Sequence, residues 1–182
     1  MAILMIRHGQ TDWNLEKRPQ GKADIPLNET GIKQATEISQ KLKDEKIDII
    51  VSSPLKRAKQ TAEIINTEIQ CPILYEEGIS ERDMGEFEGK RIEESNLEAF
   101  WNYEKNEKYE KAENIQDFFQ RVYQTLDDII GQYPEKNVLI VSHGGVSVPV
   151  YCYFNGIPDK DDLMELGLHN CEVVKYSGKR KC

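Results

Sequence analysis

Of the three histidines in this chain, two follow apolar runs directly and stand beside glycine. Ile3-Leu4-Met5-Ile6 runs into Arg7-His8-Gly9-Gln10-Thr11, and Val138-Leu139-Ile140-Val141 runs into Ser142-His143-Gly144-Gly145. A guanidinium next to an imidazole suits phosphate chemistry, because the planar fork of Arg7 can grip phosphate oxygens while an imidazole attacks phosphorus. Glycine beside each imidazole lets other groups approach the backbone closely. A lone histidine after a strand is most often a hydrogen-bonded loop residue. Two in the same context suggest a single site.

Three further stretches could contribute. Arg57 falls in the first turn of an expected helix, where a cation opposes the positive end of the helix dipole, and an anion held there would offset a cost of a few tenths of a kcal/mol. Standing alone it would read as a solvated surface arginine. Asn14 can donate its amide to an anion or simply form a turn. The segment from Gly78 to Gly89 is too rich in glycine and charge for a core element and carries five ionisable groups, Glu81, Arg82, Asp83, Glu86 and Glu88, among which composition does not choose.

The elements that must position these groups alternate between strand and helix. Unbroken apolar runs at 3–6 and 138–141 read as strands buried on both faces, hence parallel, with their ligand edge where the reactive residues begin. Ile47-Asp48-Ile49-Ile50-Val51 and Pro72-Ile73-Leu74-Tyr75 supply two more strands, and 171–176 an alternating edge strand. A helix begins near Pro26-Leu27-Asn28-Glu29-Thr30-Gly31, capped by Asn28 or Thr30, with Ile32, Ala35, Ile38 and Leu42 as its buried stripe. The next has Ser53 as N-cap, Pro54 as first helical residue, and Leu55, Ala58, Ala62, Ile65 and Ile69 on one face. Residues 90–113 read as an acidic helical lid with Phe100, Trp101, Tyr103 and Tyr109. A long amphipathic helix follows from Ile115 to Ile130, and another runs from Val146 to Phe154 and stops at Asn155-Gly156. Trp13 reads as packing, and His169 as a structural loop residue.

The length of 182 residues fits one domain. A formal charge of −8 argues against nucleic acid and anionic membranes as partners. Cys71, Cys152, Cys171 and Cys182 form no CxxC pair and no zinc-type spacing, which points to reduced thiols and a cytoplasmic location. No run is long enough to span a membrane, and the apolar run before Arg7 is too short for a signal peptide.

Together these residues resemble the histidine phosphatase superfamily with the phosphoglycerate mutase-like fold. The resemblance rests on Arg7-His8-Gly9-Gln10-Thr11 with Trp13-Asn14, on Gln20-Gly21, and on Ser52-Ser53-Pro54-Leu55-Lys56-Arg57-Ala58. It also rests on Glu81-Arg82 before Gly85 and Glu88-Gly89, and on Ser142-His143-Gly144-Gly145. It covers nearly the whole chain except 90–113. Pro19 departs from it, standing where the family often has an aromatic. The resemblance implies an α/β fold, a three-layer α/β/α sandwich whose mostly parallel sheet has an antiparallel edge strand. It also implies a single domain over 1–182, with a lid-like insertion at about 90–113.

It implies roles as well. His8 would be the nucleophile and become a phosphohistidine, while Arg7, Arg57 and His143 hold the phosphoryl oxygens. Glu81 would protonate the leaving oxygen and then help water attack. Asn14 and Gly144 would add phosphate contacts, and Gln20 and Gly21 would line the entrance. No metal or other cofactor is expected, since two arginines and an imidazole supply positive charge preorganised for phosphoryl transfer. Those cations would keep His8 neutral, as a nucleophile must be, and a substrate dianion would keep Glu81 protonated, as an acid must be.

Within the family, Gln10-Thr11 resembles the phosphatase pattern more than the Glu-Ser of mutases. Residues 90–113 hold seven glutamates against five cations and no adjacent arginine pair to clamp a sugar-acid carboxylate. The expectation is a phosphoric monoester hydrolase of the histidine acid-phosphatase type, acting on small phosphorylated metabolites. A phosphoglycerate mutase using a bisphosphoglycerate primer is the alternative. A non-catalytic phosphate-binding protein is a third reading, at odds with the presence of both His8 and Glu81.

Overall fold

A computed structural model describes residues 1–94, 97 and 99–177. Five strands, β1 (Ile3–Arg7), β2 (Ile49–Ser52), β3 (Ile73–Tyr75), β4 (Val138–Ser142) and β5 (Val173–Tyr176), form one sheet in the order β3-β2-β4-β1-β5. All pairings are parallel except that of β5, which runs antiparallel to β1 at the edge.

The unbroken apolar runs are explained by the two cores they serve. Ile3 and Met5 of β1, Ile49 and Val51 of β2, and Val138 and Ile140 of β4 face one side. There they meet α4 (Ile115–Gln132) and α5 (Gly144–Asn155) through Phe118, Val122, Leu126, Val146 and Val150. The alternate residues Leu4, Ile6, Ile50, Leu139 and Val141 face the other side and pack on α2 (Glu29–Leu42) and α3 (Lys56–Ile69) through Ile38, Leu42, Ala58, Ala62 and Ile65. Successive strand residues point to opposite faces, so a strand between two helical layers must be apolar at every position. A one-turn helix, α1 (Asp12–Leu15), follows β1. No helix among the described residues is long and apolar enough to cross a membrane.

Four local expectations need correction. Asn28, not Thr30, caps α2 by accepting from Gly31 N, and Ile32 is 46% exposed. The buried slot belongs to Gly31, where a Cβ would lie 2.1 Å from the Gln10 carbonyl oxygen, so that position admits no side chain. Helix α3 starts at Lys56 with Leu55 extended at its N-cap, because Ser53 is still tied to the sheet through Ser53 N donating to the Val141 carbonyl. Strand β5 starts at Val173 rather than at 171, since Cys171 sits at φ +56°, outside strand geometry. The described residues of 90–113 form no α-helix. Apart from a single 3₁₀ turn, Ile92–Glu94, they are turns packed around Phe87, Phe100 and Tyr109.

Candidate active site

β1 and β4 are parallel neighbours in register, with Arg7 opposite Ser142, so the residues that follow them emerge side by side at the carboxyl edge of the sheet. The rings of His8 and His143 stand with centroids 5.3 Å apart at 63°. Both are buried. His8 Nδ1 lies 2.7 Å from its neighbour's carbonyl, Gly9 O. A carbonyl only accepts, so Nδ1 carries the proton and Nε2 carries the lone pair. Burial, reinforced by Arg57 and Arg7, holds the His8 pKa well below the usual histidine value, and the imidazole is neutral. Gly9 is itself pinned, its N–H donating to Thr61 Oγ1 on α3.

Arg57 is fully buried at the start of α3. Its Nη1 donates to Ala23 O, Nη2 to Gly21 O and Nε to His143 Nδ1 at 3.2 Å. Three of its five donor hydrogens are thereby used. Arg7 donates through Nη1 to Leu168 O, while its Nε is buried with no partner. Its guanidinium passes so close to Gly144 that a Cβ there would come within 3.1 Å. Burial lowers both arginine pKa values, that of Arg57 to about 10, and both remain cations at neutral pH. Neither guanidinium is in a salt bridge among the described residues. One buried and one half-buried cation with open donors form a site built for an anion.

His143 is placed differently from the expectation that it holds phosphoryl oxygens directly. Because Arg57 Nε donates to its Nδ1, its proton is on Nε2, which donates to Ser53 Oγ at 2.8 Å. Both ring nitrogens are occupied, the residue is fully buried, and the ring lies behind His8 rather than on the cleft surface. Burial and the neighbouring Arg57 hold its pKa well below the usual histidine value.

Asn14 takes the turn reading and also lines the cleft. Its Oδ1 accepts from Thr11 N, Thr11 Oγ1 and Asn170 Nδ2, completing a capping box on α1. That orientation leaves Nδ2 available on the cleft side. Gly21 sits at φ +48°, where a Cβ would fall 2.0 Å from Glu88 Oε1. Gln20 is buried beside it, with Oε1 unpartnered. Glu81 reaches in from the loop after β3. Its Oε1 accepts from Arg82 N at 2.9 Å and its Oε2 from Gly145 N, at the amino end of α5, at 3.0 Å.

These groups line one cleft of about 280 Å³. Arg7, His8, Asn14, Arg57, Glu81, Gly144 and Gly145 form its floor, while Trp13, Met84, Ile92, Leu97, Trp101 and Met164 make an apolar wall, with Lys17 and Arg18 at the rim. Trp13 therefore belongs to the cleft, beyond the packing role expected of it. Among the described residues no three His, Cys, Asp or Glu side chains are grouped to hold a metal ion.

Ser53, Thr61 and Asn170 escaped the sequence reading. Ser53 stood in view but looked like a helix cap, and Thr61, one turn after Arg57, looked like a filler on α3. Asn170, which bridges His8 O and Asn14 Oδ1, lies in a loop with no periodicity to mark it.

Known proteins resemble this chain in sequence and in fold. The chain is 46% identical over 143 residues to a Bacillus subtilis protein described as "Uncharacterized phosphatase PhoE", covering 79% of this chain and 72% of that one. It is 31% identical over 181 residues to the "Probable phosphoglycerate mutase GpmB" of Cronobacter sakazakii, covering 96% and 84%. A phosphoserine phosphatase mutant from Entamoeba histolytica, solved in complex with phosphoserine, superposes with a TM-score of 0.81 at 31% identity over 96% of this chain and 89% of that one. Residues 3–181 match the histidine phosphatase superfamily (branch 1), and the chain belongs to that family.

Proposed function

We propose that the protein is a cytoplasmic phosphomonoesterase of the histidine acid-phosphatase type, which hydrolyses small phosphorylated metabolites through a phosphohistidine on His8. The observation that carries this reading is the His8 tautomer: with Nδ1 held by Gly9 O, the Nε2 lone pair is left for a cleft lined by the guanidiniums of Arg7 and Arg57. Arg7 Nε, the open hydrogens of Arg57 and Asn14 Nδ2 would receive the phosphoryl oxygens. His8 Nε2 then forms a bond to phosphorus as the ester P–O bond breaks, and the protonated Glu81 gives its proton to the departing oxygen. In the second half Glu81 takes a proton from water, the water oxygen bonds to phosphorus, and the N–P bond breaks to release inorganic phosphate. His143 acts by holding Arg57 in place. To touch a phosphoryl oxygen itself it would exchange its bond to Ser53 for one to substrate.

The relatives' described activities support hydrolysis, through PhoE and the phosphoserine phosphatase, and the described mutase marks the competing reaction. The three described cysteines, Cys71, Cys152 and Cys171, are free, in keeping with a reducing compartment. The apolar wall leaves sugar hydroxyls few partners, and burying a polar group unpaired costs about 1–3 kcal/mol, which favours compact alcohols with few hydroxyls.

The test is phosphate release from a panel of metabolite monophosphates without added metal, beside the His8→Ala variant and a phosphoglycerate interconversion assay with primer. Release that disappears in the variant is expected. Interconversion without net phosphate release would replace the phosphatase reading with the mutase one.

A further inference from the structure

Arg82 is fully buried, yet it is absent from the cleft lining and is paired with no carboxylate among the described residues. Its Nε donates to Glu113 O at 2.9 Å and its Nη1 to Phe100 O, while Nη2 is buried without a partner. The guanidinium lies 3.6 Å from the Phe100 ring centroid and 5.2 Å from that of Trp101. An arginine held only by carbonyls and aromatic faces is a costly way to fill space. An unbranched apolar residue such as methionine would fill most of the same volume without a desolvation penalty.

The position of Arg82 in the chain gives that cost a use. Its own backbone N–H donates to Glu81 Oε1, so any shift of residue 82 moves a ligand of the Glu81 carboxylate. The same guanidinium anchors Phe100, and the next residue, Trp101, closes over the Glu81 carboxylate. A Cβ at Gly145 would meet Trp101 Cη2 at 2.7 Å and Glu81 Oε1 at 2.2 Å, which places indole and carboxylate against one another across that glycine. The far side of the loop is bolted separately, by Arg121 of α4, which donates to Gly78 O and Ser80 O and clamps the Glu113 carboxylate.

We propose that Arg82 is a positioning residue that fixes the Glu81 carboxylate for proton transfer and hangs the Trp101 wall from the same anchor. This rests on the reading of Glu81 as the general acid. A carboxyl displaced by even an ångström transfers its proton poorly, and the loss falls on substrates whose leaving oxygen needs that proton. Nitrophenolate leaves without much help, whereas an alkoxide does not.

The experiment measures kcat/KM for Arg82→Met, Glu81→Gln and the double variant on p-nitrophenyl phosphate and on an alkyl phosphate. Arg82→Met is expected to lose about 10- to 30-fold on the alkyl ester and under about threefold on the nitrophenyl ester, with the loss in kcat rather than KM. In the Glu81→Gln background the further loss should shrink to about twofold or less, because the group being positioned is gone. Arg82→Lys, which keeps a donor and a charge, should recover part of the activity. Phe100→Leu removes the ring under the guanidinium but keeps apolar volume, so it serves if Arg82→Met does not fold, with a smaller loss of the same selectivity expected. Equal losses on both esters, or losses that multiply in the double variant, would overturn the proposal. Should Glu81→Gln itself damage both esters equally, the acid assignment falls, and the coupling between positions 81 and 82 still decides whether Arg82 positions Glu81.

Discussion

The floor and the wall of the cleft are built on opposite principles. The floor hangs largely from strand ends: Arg7 and His8 lie at the end of β1, Gly144 and Gly145 follow β4, and Arg57 opens α3, all fixed by a sheet whose middle is fully buried. The described wall residues Ile92, Leu97 and Trp101 come from a segment with almost no regular structure, held by aromatic edges and by carbonyl bonds to a buried arginine. Periodic elements supply geometry that few substitutions can alter. Irregular segments hold theirs through particular side chains, and a change of one residue can reshape what the cleft accepts while the reaction survives.

Substitutions in the two regions should therefore fail differently. The largest effect is expected at the floor, where His8→Ala removes the atom proposed to bond to phosphorus and should abolish hydrolysis of every ester, by about 10⁴-fold or more in kcat. An ester still hydrolysed at near wild-type rate would show that His8 is not the nucleophile. Next comes Glu81→Gln, expected to cost about 10²- to 10³-fold on alkyl phosphates and far less on p-nitrophenyl phosphate. At the wall, Trp101→Ala should leave kcat for a small ester within about threefold and raise KM for esters with an apolar body by about tenfold, close to 1.4 kcal/mol of contact. A uniform fall in kcat across all esters would instead tie Trp101 to the chemistry and erase the distinction between floor and wall.

Two smaller effects probe the floor's support. His8 and His143 are held neutral when folded, with pKa values well below 6.5, but each regains an ordinary value in the unfolded chain. Below pH 6.5 the unfolded state binds protons that the folded state does not. Stability should thus be level above about pH 7 and fall as pH drops, by up to about 1.4 kcal/mol per pH unit for each histidine. Urea midpoints at pH 5 and 7 would check this, and His8→Ala should shrink the difference. Finally, Asn170→Ala removes one donor shared by His8 O and Asn14 Oδ1 and should lower kcat/KM by about fivefold, near 1 kcal/mol.

The same division governs what the sequence discloses. Apolar runs ending in Arg7-His8 and Ser142-His143 are legible because a strand buried on both faces must be apolar throughout, and its end marks the ligand edge. The resemblance adds Glu81, which composition alone leaves indistinguishable from four ionisable neighbours. Ile32 misled because a continuing apolar stripe looks the same whether the slot is filled by a side chain or, as at Gly31, by another stretch of backbone. Residues 90–113 looked helical because helix formers dominate their composition, but their packing around Phe87, Phe100 and Arg82 prevails over local propensity.

The guanidiniums of the floor, in no salt bridge among the described residues, would act on product as well as on substrate. Arg7 and Arg57 meet an anion with donors otherwise left unused, and on the proposed reaction the last anion in the cleft is inorganic phosphate. Turnover would then be paced by departure of that ion, and free phosphate would compete with substrate. By mass action, phosphate at one hundred times its dissociation constant would add about 2.7 kcal/mol to folding stability, so a product that slows the enzyme would also preserve it.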